Sequence, residues 1–175
     1  ISGTENSQGI LAIVNMKEVY QPKESGIYIL ADKVQDPGNM GTIIRTAHAA
    51  NATGILITEG TVDIYNEKTL RASMGSIFYM TIIEDFKLER SIYLKSKGFK
   101  IIASSLNTDK SLYDLDLHKK NLILAVGNEG NGLSDEVYNI SDKTFIIPMP
   151  GKAESLNAAV ATSIIIFEIV RQNLK

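Results

Sequence analysis

The chain has 175 residues, enough for one substantial core and too few for two comfortable domains. Its 44% apolar and 22% charged content is that of a globular domain, and the absence of cysteine excludes disulfides and thiolate metal sites. A net charge of −2 argues against a protein that coats nucleic acid, so any such contact must be local or supplied by another domain.

The histidines, His48 and His118, lie far apart and lack zinc-ligand spacing, so no metal is expected. No apolar run reaches the roughly 18 residues of a membrane span, and no secretory signal opens the chain. A cytoplasmic protein is the simplest reading. Residues 1–9 are polar and begin with Ile1, which reads as a junction to a preceding domain, with 10–175 as the folded unit.

Short, β-branched apolar runs predict strands at 10–14, 27–30, 55–57, 77–83, 99–103, 122–126 and 145–147. They are bounded by Gly, Asp, Asn or Pro and show little polar alternation, as strands buried on both faces do. Helices are predicted at 40–50, 67–74, 87–97, 134–139 and 157–172. Strands alternating with helices imply an α/β fold with a parallel sheet covered on both sides.

After the strand at 27–30 comes Asp36-Pro37-Gly38-Asn39-Met40-Gly41-Thr42-Ile43-Ile44-Arg45-Thr46-Ala47. Pro37 and Gly38 suit a turn, and Asn39 suits a helix N-cap. Met40, Ile43, Ile44, Ala47 and Ala50 form the apolar stripe of the helix. Arg45 lies at its margin, one turn after the small Gly41, where a long cation can reach into a cleft. The alternative is an arginine that snorkels at the surface.

After the strand at 122–126 comes Gly127-Asn128-Glu129-Gly130-Asn131-Gly132-Leu133-Ser134. Its glycines let backbone amides approach a ligand, but their spacing is not that of a dinucleotide fingerprint. Glu129 would repel a pyrophosphate and suits a hydroxyl-bearing or cationic ligand. The alternative is a glycine turn with Ser134 as N-cap.

The strand at 145–147 leads through Pro148-Met149-Pro150-Gly151 and Ser155-Leu156-Asn157 into the last helix. This is no phosphate-binding P-loop, since the upstream glycine and the following Ser/Thr are missing. Ser155 and Asn157 offer polar groups; a capping serine and a buried asparagine are the alternative. The helix itself is apolar nearly all round, so it is central in a core or shared with a second copy of the chain.

Together, in order and spacing, these segments resemble the three motifs of the SpoU (TrmH-like) branch of the SPOUT methyltransferase superfamily, over about residues 9–171. The resemblance implies an α/β parallel-sheet fold whose C-terminal part is threaded into a deep trefoil knot. It implies an RNA 2′-O-ribose methyltransferase, S-adenosylmethionine bound by the knot loops, and an active site at a homodimer interface. Carried over by position, Gly127, Ile147, Met149 and Leu156 contact the cofactor, and Ser104, Ser105 and Leu106 line the same pocket. Asn157 braces the loop or the cofactor, Glu129 organises the catalytic loop, Ser155 positions substrate, and Asn39 orients Arg45 or the ribose.

Arg45 is the residue assigned to catalysis. A guanidinium with a pKa of about 12.5 or more is a poor base. It can clamp the neighbouring phosphate bidentately so that the phosphate accepts the hydroxyl proton, or its own pKa can be lowered in the closed site; the clamp is the preferred route. Residues 4–14 resemble the junction after the RNA-binding domain of ribosomal RNA members, and Asp36-Pro37-Gly38-Asn39 resembles the same subgroup. The expected substrate is therefore 23S ribosomal RNA, at a guanosine. The rivals are a tRNA ribose methyltransferase, a non-catalytic knotted RNA-binding assembly protein, and a nucleotide oxidoreductase.

Overall fold

The computed structural model describes residues 12–15, 21–118, 121–128 and 130–174. The strands are β1 (Gly26–Ala31), β2 (Gly54–Ile57), β3 (Ile82–Glu84), β4 (Lys100–Ser104), β5 (Asn121–Val126) and β6 (Lys143–Phe145). They form one sheet in the order β3-β2-β1-β5-β4-β6, and every pairing is parallel. The helices are α1 (Pro37–Ala49), α2 (Glu67–Ala72), α3 (Glu89–Ser96), α4 (Asp135–Ile140) and α5 (Ala158–Asn173).

Alternation along the strands explains the layers. Ile29 and Ala31 of β1 join a core with Ile43, Ile44 and Ala47 of α1 and with Ile165, Ile166 and Ile169 of α5. Their neighbours Tyr28 and Leu30 point the other way, into a core with Leu94 of α3 and Val137 of α4. Both faces of β1 and β5 are therefore covered. This is why these strands read as continuous apolar runs: each large side chain kept from water is worth about 1.5–3 kcal/mol.

Several local expectations are corrected. Helix α1 starts at Pro37 rather than Met40, because Asp36 and not Asn39 is its N-cap: the Asn39 amide donates to Asp36 Oδ1 at 2.7 Å. Gly41 opens no path for Arg45. It packs against α2, where a Cβ would lie 2.5 Å from Ala72 Cβ and 2.7 Å from the Thr69 carbonyl oxygen. Of the strand expected at 77–83, only its end pairs. Ser76–Phe78 is a 3-10 turn, and the amides of Phe78, Tyr79 and Met80 bond back to Gly75 and Ser76, so they cannot join a ladder. Residues 12–14 of the expected first strand are not in a strand and lie exposed; residues 10–11, like the junction at 1–9, lie outside the described residues. The last expected strand ends at Phe145, so Ile147 belongs to the loop beyond it.

Helix α5 is capped by Asn157, whose Oδ1 accepts from the amides of Ala159 and Val160 at 2.9 and 3.2 Å. One face packs on the sheet and α1, while Val160 and Phe167 at i and i+7 remain about half exposed. At its far end Glu168 accepts from Arg171 Nε and Nη2 at 2.7 and 2.8 Å and from Gln172. The Arg171 guanidinium is the main reason the Glu168 carboxyl is pulled down to about 2. Gln172 in turn bonds the Leu117 amide and the Leu115 carbonyl, which ties α5 to the segment after β4. Among the described residues no helix is long and apolar enough to cross a membrane.

Candidate active site

The loops after β4, β5 and β6 leave the carboxyl edge of the sheet together and enclose a cavity of about 370 Å³. The segment after β4 runs to the face of α1 and α5, where Leu112, Leu115 and Leu117 are buried. The segment after β5 runs to the opposite face, where Leu133 and Val137 are buried. Loops that diverge in this way open a crevice at the strand ends, the usual ligand position in a parallel sheet. The volume lies in the range of small-molecule sites.

The floor of the cavity is the glycine loop. Gly127 has no room for a side chain, since a Cβ there would lie 2.2 Å from the Gly132 carbonyl carbon and 2.4 Å from the Leu133 nitrogen. Asn128 and Gly132 exchange backbone hydrogen bonds of 2.9 and 3.0 Å, which closes the loop into a tight turn. The Asn128 side chain holds its interior, with Oδ1 accepting from the amides of Gly130 and Asn131 at 2.9 and 3.1 Å. Gly127, Asn128, Gly130, Asn131 and Gly132 of this closed loop line the cavity.

The first side wall is the segment after β4, with Ser104, Ser105, Leu106 and Asn107. Tyr138 of α4 also lines the cavity, and its hydroxyl donates to the Ser104 carbonyl at 3.3 Å. The second side wall comes from the loop after β6, where Ile147, Met149 and Leu156 are half-buried and Ser155 and Glu154 are exposed at the rim. Apolar side chains interspersed with hydroxyl and amide groups suit an adenosine-like body, and Glu154 adds one negative group for a cationic end.

Ser104, Gly127, Ile147, Met149, Ser155 and Leu156 thus line one cavity, as do Ser105 and Leu106. Asn157 and Asn39 stand beside it and meet each other, Asn157 Nδ2 donating to Asn39 Oδ1 at 2.8 Å. This bond ties the first motif to the third. Glu129 lies outside the described residues. Arg45 is not in the cavity of its own chain. It is exposed on α1, six residues or about 9 Å along the axis from Asn39, and beside the Thr46–Ser163 hydroxyl contact that joins α1 to α5. Among the described residues no carboxylate pairs with it. No cluster of three metal-binding side chains occurs among the described residues. Sequence reasoning missed Tyr138, Glu154 and the structural role of Asn128. Asn128 sits within the glycine motif and could have been found as an Asx-type turn former; Tyr138 carries no local signal.

Comparison with known proteins agrees with this geometry. Residues 26–167 match the model of the SpoU rRNA Methylase family. The chain is 34% identical over 169 residues to the 23S rRNA (guanosine(2553)-2′-O)-methyltransferase RlmP of Bacillus subtilis, covering 97% of this chain and 67% of the relative. It is 33% identical to the tRNA (guanosine(18)-2′-O)-methyltransferase of Aquifex aeolicus, covering 90% and 74%. An AdoMet-bound rRNA methyltransferase from Sinorhizobium meliloti superposes with a TM-score of 0.82 at 37% identity, covering 89% of this chain and 60% of that one. The chain spans about two thirds of the length of the curated relatives it matches, from 55% to 74% among those with an assigned RNA target. With its motif loops gathered on one cavity, the chain belongs to the SpoU rRNA methylase family.

Proposed function

We propose that this chain transfers a methyl group from S-adenosylmethionine to a ribose 2′-hydroxyl of RNA, with a 23S ribosomal RNA guanosine as the preferred target. The observation that carries the reading is the convergence of Ser104, Gly127, Ile147, Met149, Ser155 and Leu156 on one cavity. The cavity fits the cofactor: a glycine loop forms its floor, and Leu106, Ile147, Met149 and Leu156 give its walls apolar surface beside Ser104, Ser105 and Asn107. When bound, the cofactor supplies an electrophilic methyl carbon on a sulfonium.

The chain's own residues do the rest. Gly127, Ile147, Met149 and Leu156 hold the cofactor, and Ser155 at the rim positions substrate. Asn157, fixed by its cap and by Asn39, keeps the rim and α1 in register. Arg45 clamps the phosphate next to the target ribose, aligns the hydroxyl for in-line attack and lets that phosphate take the proton. Alignment of this kind can lower a barrier by about 7–11 kcal/mol. Glu129 completes the site by organising the glycine loop and the ribose.

Because Arg45 stands outside its own chain's cavity, the reading includes a homodimer in which a second copy brings Arg45 to the bound substrate. The half-exposed Val160 and Phe167 of α5 support such an interface. It also includes a trefoil knot in the C-terminal part. The close engagement of the segments after β4 and β6 supports this: Ile146 bonds Lys110 and Leu112 through backbone groups at 2.8 Å before the chain returns to α5. Residues 10–175 act as the catalytic unit, in the cytoplasm where ribosomal RNA is found, and need no metal. A tRNA substrate is the second reading, favoured by the similarity to the Aquifex aeolicus tRNA enzyme.

Arg45→Ala tests the assignment: methyl transfer is abolished while calorimetric cofactor affinity is kept. Arg45→Lys is also poor, because the planar fork is lost. Turnover near wild type in Arg45→Ala would sink the clamp. A monomeric mass by light scattering at micromolar concentration would sink the dimer.

A further inference from the structure

We propose that the turn after β1, Asp32-Lys33, is a brace that fixes the glycine loop for cofactor, with Asp32 as its positioning residue. The inference rests on the cofactor reading above and deepens it. Asp32 is 1% exposed, and among the described residues no cation pairs with it. A buried carboxylate without a counterion is unfavourable unless hydrogen bonds hold it, so its partners reveal its role.

Those partners lead to the loop. Asp32 Oδ2 accepts from the Ser134 amide at 2.6 Å, across 102 residues of chain. Asp32 Oδ1 accepts from the Thr58 hydroxyl at 2.8 Å, and that hydroxyl oxygen also accepts from the Lys33 amide at 3.0 Å. The Asp32 amide donates to the Val126 carbonyl at 2.9 Å, carrying the β1–β5 ladder up to Gly127. Lys33 has φ +54°, the left-handed region that a lysine rarely occupies. There its carbonyl accepts from Asn128 Nδ2 at 3.0 Å. Two consecutive residues, a buried carboxylate held by hydrogen bonds and a left-handed backbone, are thus aimed at the same loop. Asp32 holds its exit at Ser134, and Lys33 holds its entry at Asn128, whose other side-chain atom organises Gly130 and Asn131. Asp32, Lys33 and Thr58 themselves do not line the cavity. Strain and burial at such a place are characteristic of a preorganised site.

The test uses calorimetric titration with S-adenosylmethionine, steady-state kinetics, and amide exchange of the cofactor-free protein. The wild-type protein is measured first; failure to bind would overturn the cofactor reading rather than the brace. Given wild-type binding, Asp32→Ala weakens cofactor affinity about tenfold or more, since the Ser134 amide loses its partner. Thr58→Val, isosteric and remote from the cavity, weakens it several-fold. In both, the KM for cofactor rises while kcat at saturating cofactor is largely kept, and exchange quickens at 127–134 more than in the strands. Asp32→Asn keeps an acceptor for Ser134 and falls between wild type and Asp32→Ala. If Asp32→Ala does not fold, Asp32→Asn and Thr58→Val decide. Wild-type affinity, KM and loop exchange in the folded variants would overturn the brace.

Discussion

The two motif loops that bound the cavity, its floor and its second side wall, are built differently. The glycine loop at 127–134 is closed on itself by Asn128 and Gly132, packed at Gly127, and tied to β1 through Asn128 and Ser134. The loop at 147–156 runs from β6 to α5 with no hydrogen bond of its own among the described residues, and it is anchored only at its ends by Ile146 and Asn157. Its residues 150–155 are exposed. One wall is therefore preformed, and the other has little to hold it until something packs against Ile147, Met149 and Leu156. A site with one rigid and one adaptable wall can admit a ligand and then close on it.

The largest effect should come from breaking the preformed wall. Gly127→Ala places a Cβ against the Gly132 backbone; cofactor binding falls below detection in calorimetry, with overpacking costing about 1–3 kcal/mol of stability. A folded Gly127→Ala protein with wild-type affinity would show that the close approach of Gly127 to Gly132 is not needed for the floor. Next is the anchor of the adaptable wall. Asn157→Ala removes the α5 cap and costs about 1 kcal/mol in denaturant unfolding. It also unties Asn39, so activity falls further than stability alone explains. Asn157→Asp keeps the cap but not the donor to Asn39, and should recover stability more than activity. The contrast itself is sharpened by amide exchange: cofactor should slow exchange at 147–156 strongly and at 127–134 little. Equal protection of the two segments would contradict it.

The smallest effect lies at the far end of α5, the helix that carries the adaptable wall. Glu168 titrates near 2 in the folded protein against an ordinary 4.5. A depressed carboxyl stabilises the fold fully above about pH 4.5, and that contribution fades as pH falls toward 2. Glu168→Gln should therefore flatten the acid limb of the stability curve in that window and leave its neutral shape unchanged. An unaltered acid limb would show the Arg171 pair contributes nothing.

Much of this was legible in the chain itself. The central strands and all the predicted helices appear because burial on two faces and the helical period leave local marks, and α5 announced its unusual apolarity. The residues at 77–83 misled because Phe78 and Tyr79 have strand-like character, yet lie exposed in a turn where Tyr79 stacks on His48 at 4.9 Å. Asn39 resembled a cap, but Asp36 three residues earlier had the competing side chain and a proline after it. Gly127, Ile147, Met149, Ser155 and Leu156 of the cavity were found through their motifs. Asp32 was not, because its partners, Thr58 and Ser134, lie 26 and 102 residues away and no period records such contacts. The separation of Arg45 from the cavity was equally hidden, since helix spacing gives a face and not what stands opposite it.

Nucleoside analysis tests the assigned chemistry and its target together. The protein is incubated with S-adenosylmethionine and 23S ribosomal RNA, and the RNA is digested and examined by mass spectrometry for the position of the added methyl group. A single nucleoside, a guanosine, is expected to carry the methyl group on its ribose, with the signal lost in Arg45→Ala. A methyl group on a base, or equal ribose methylation by Arg45→Ala, would contradict the assignment.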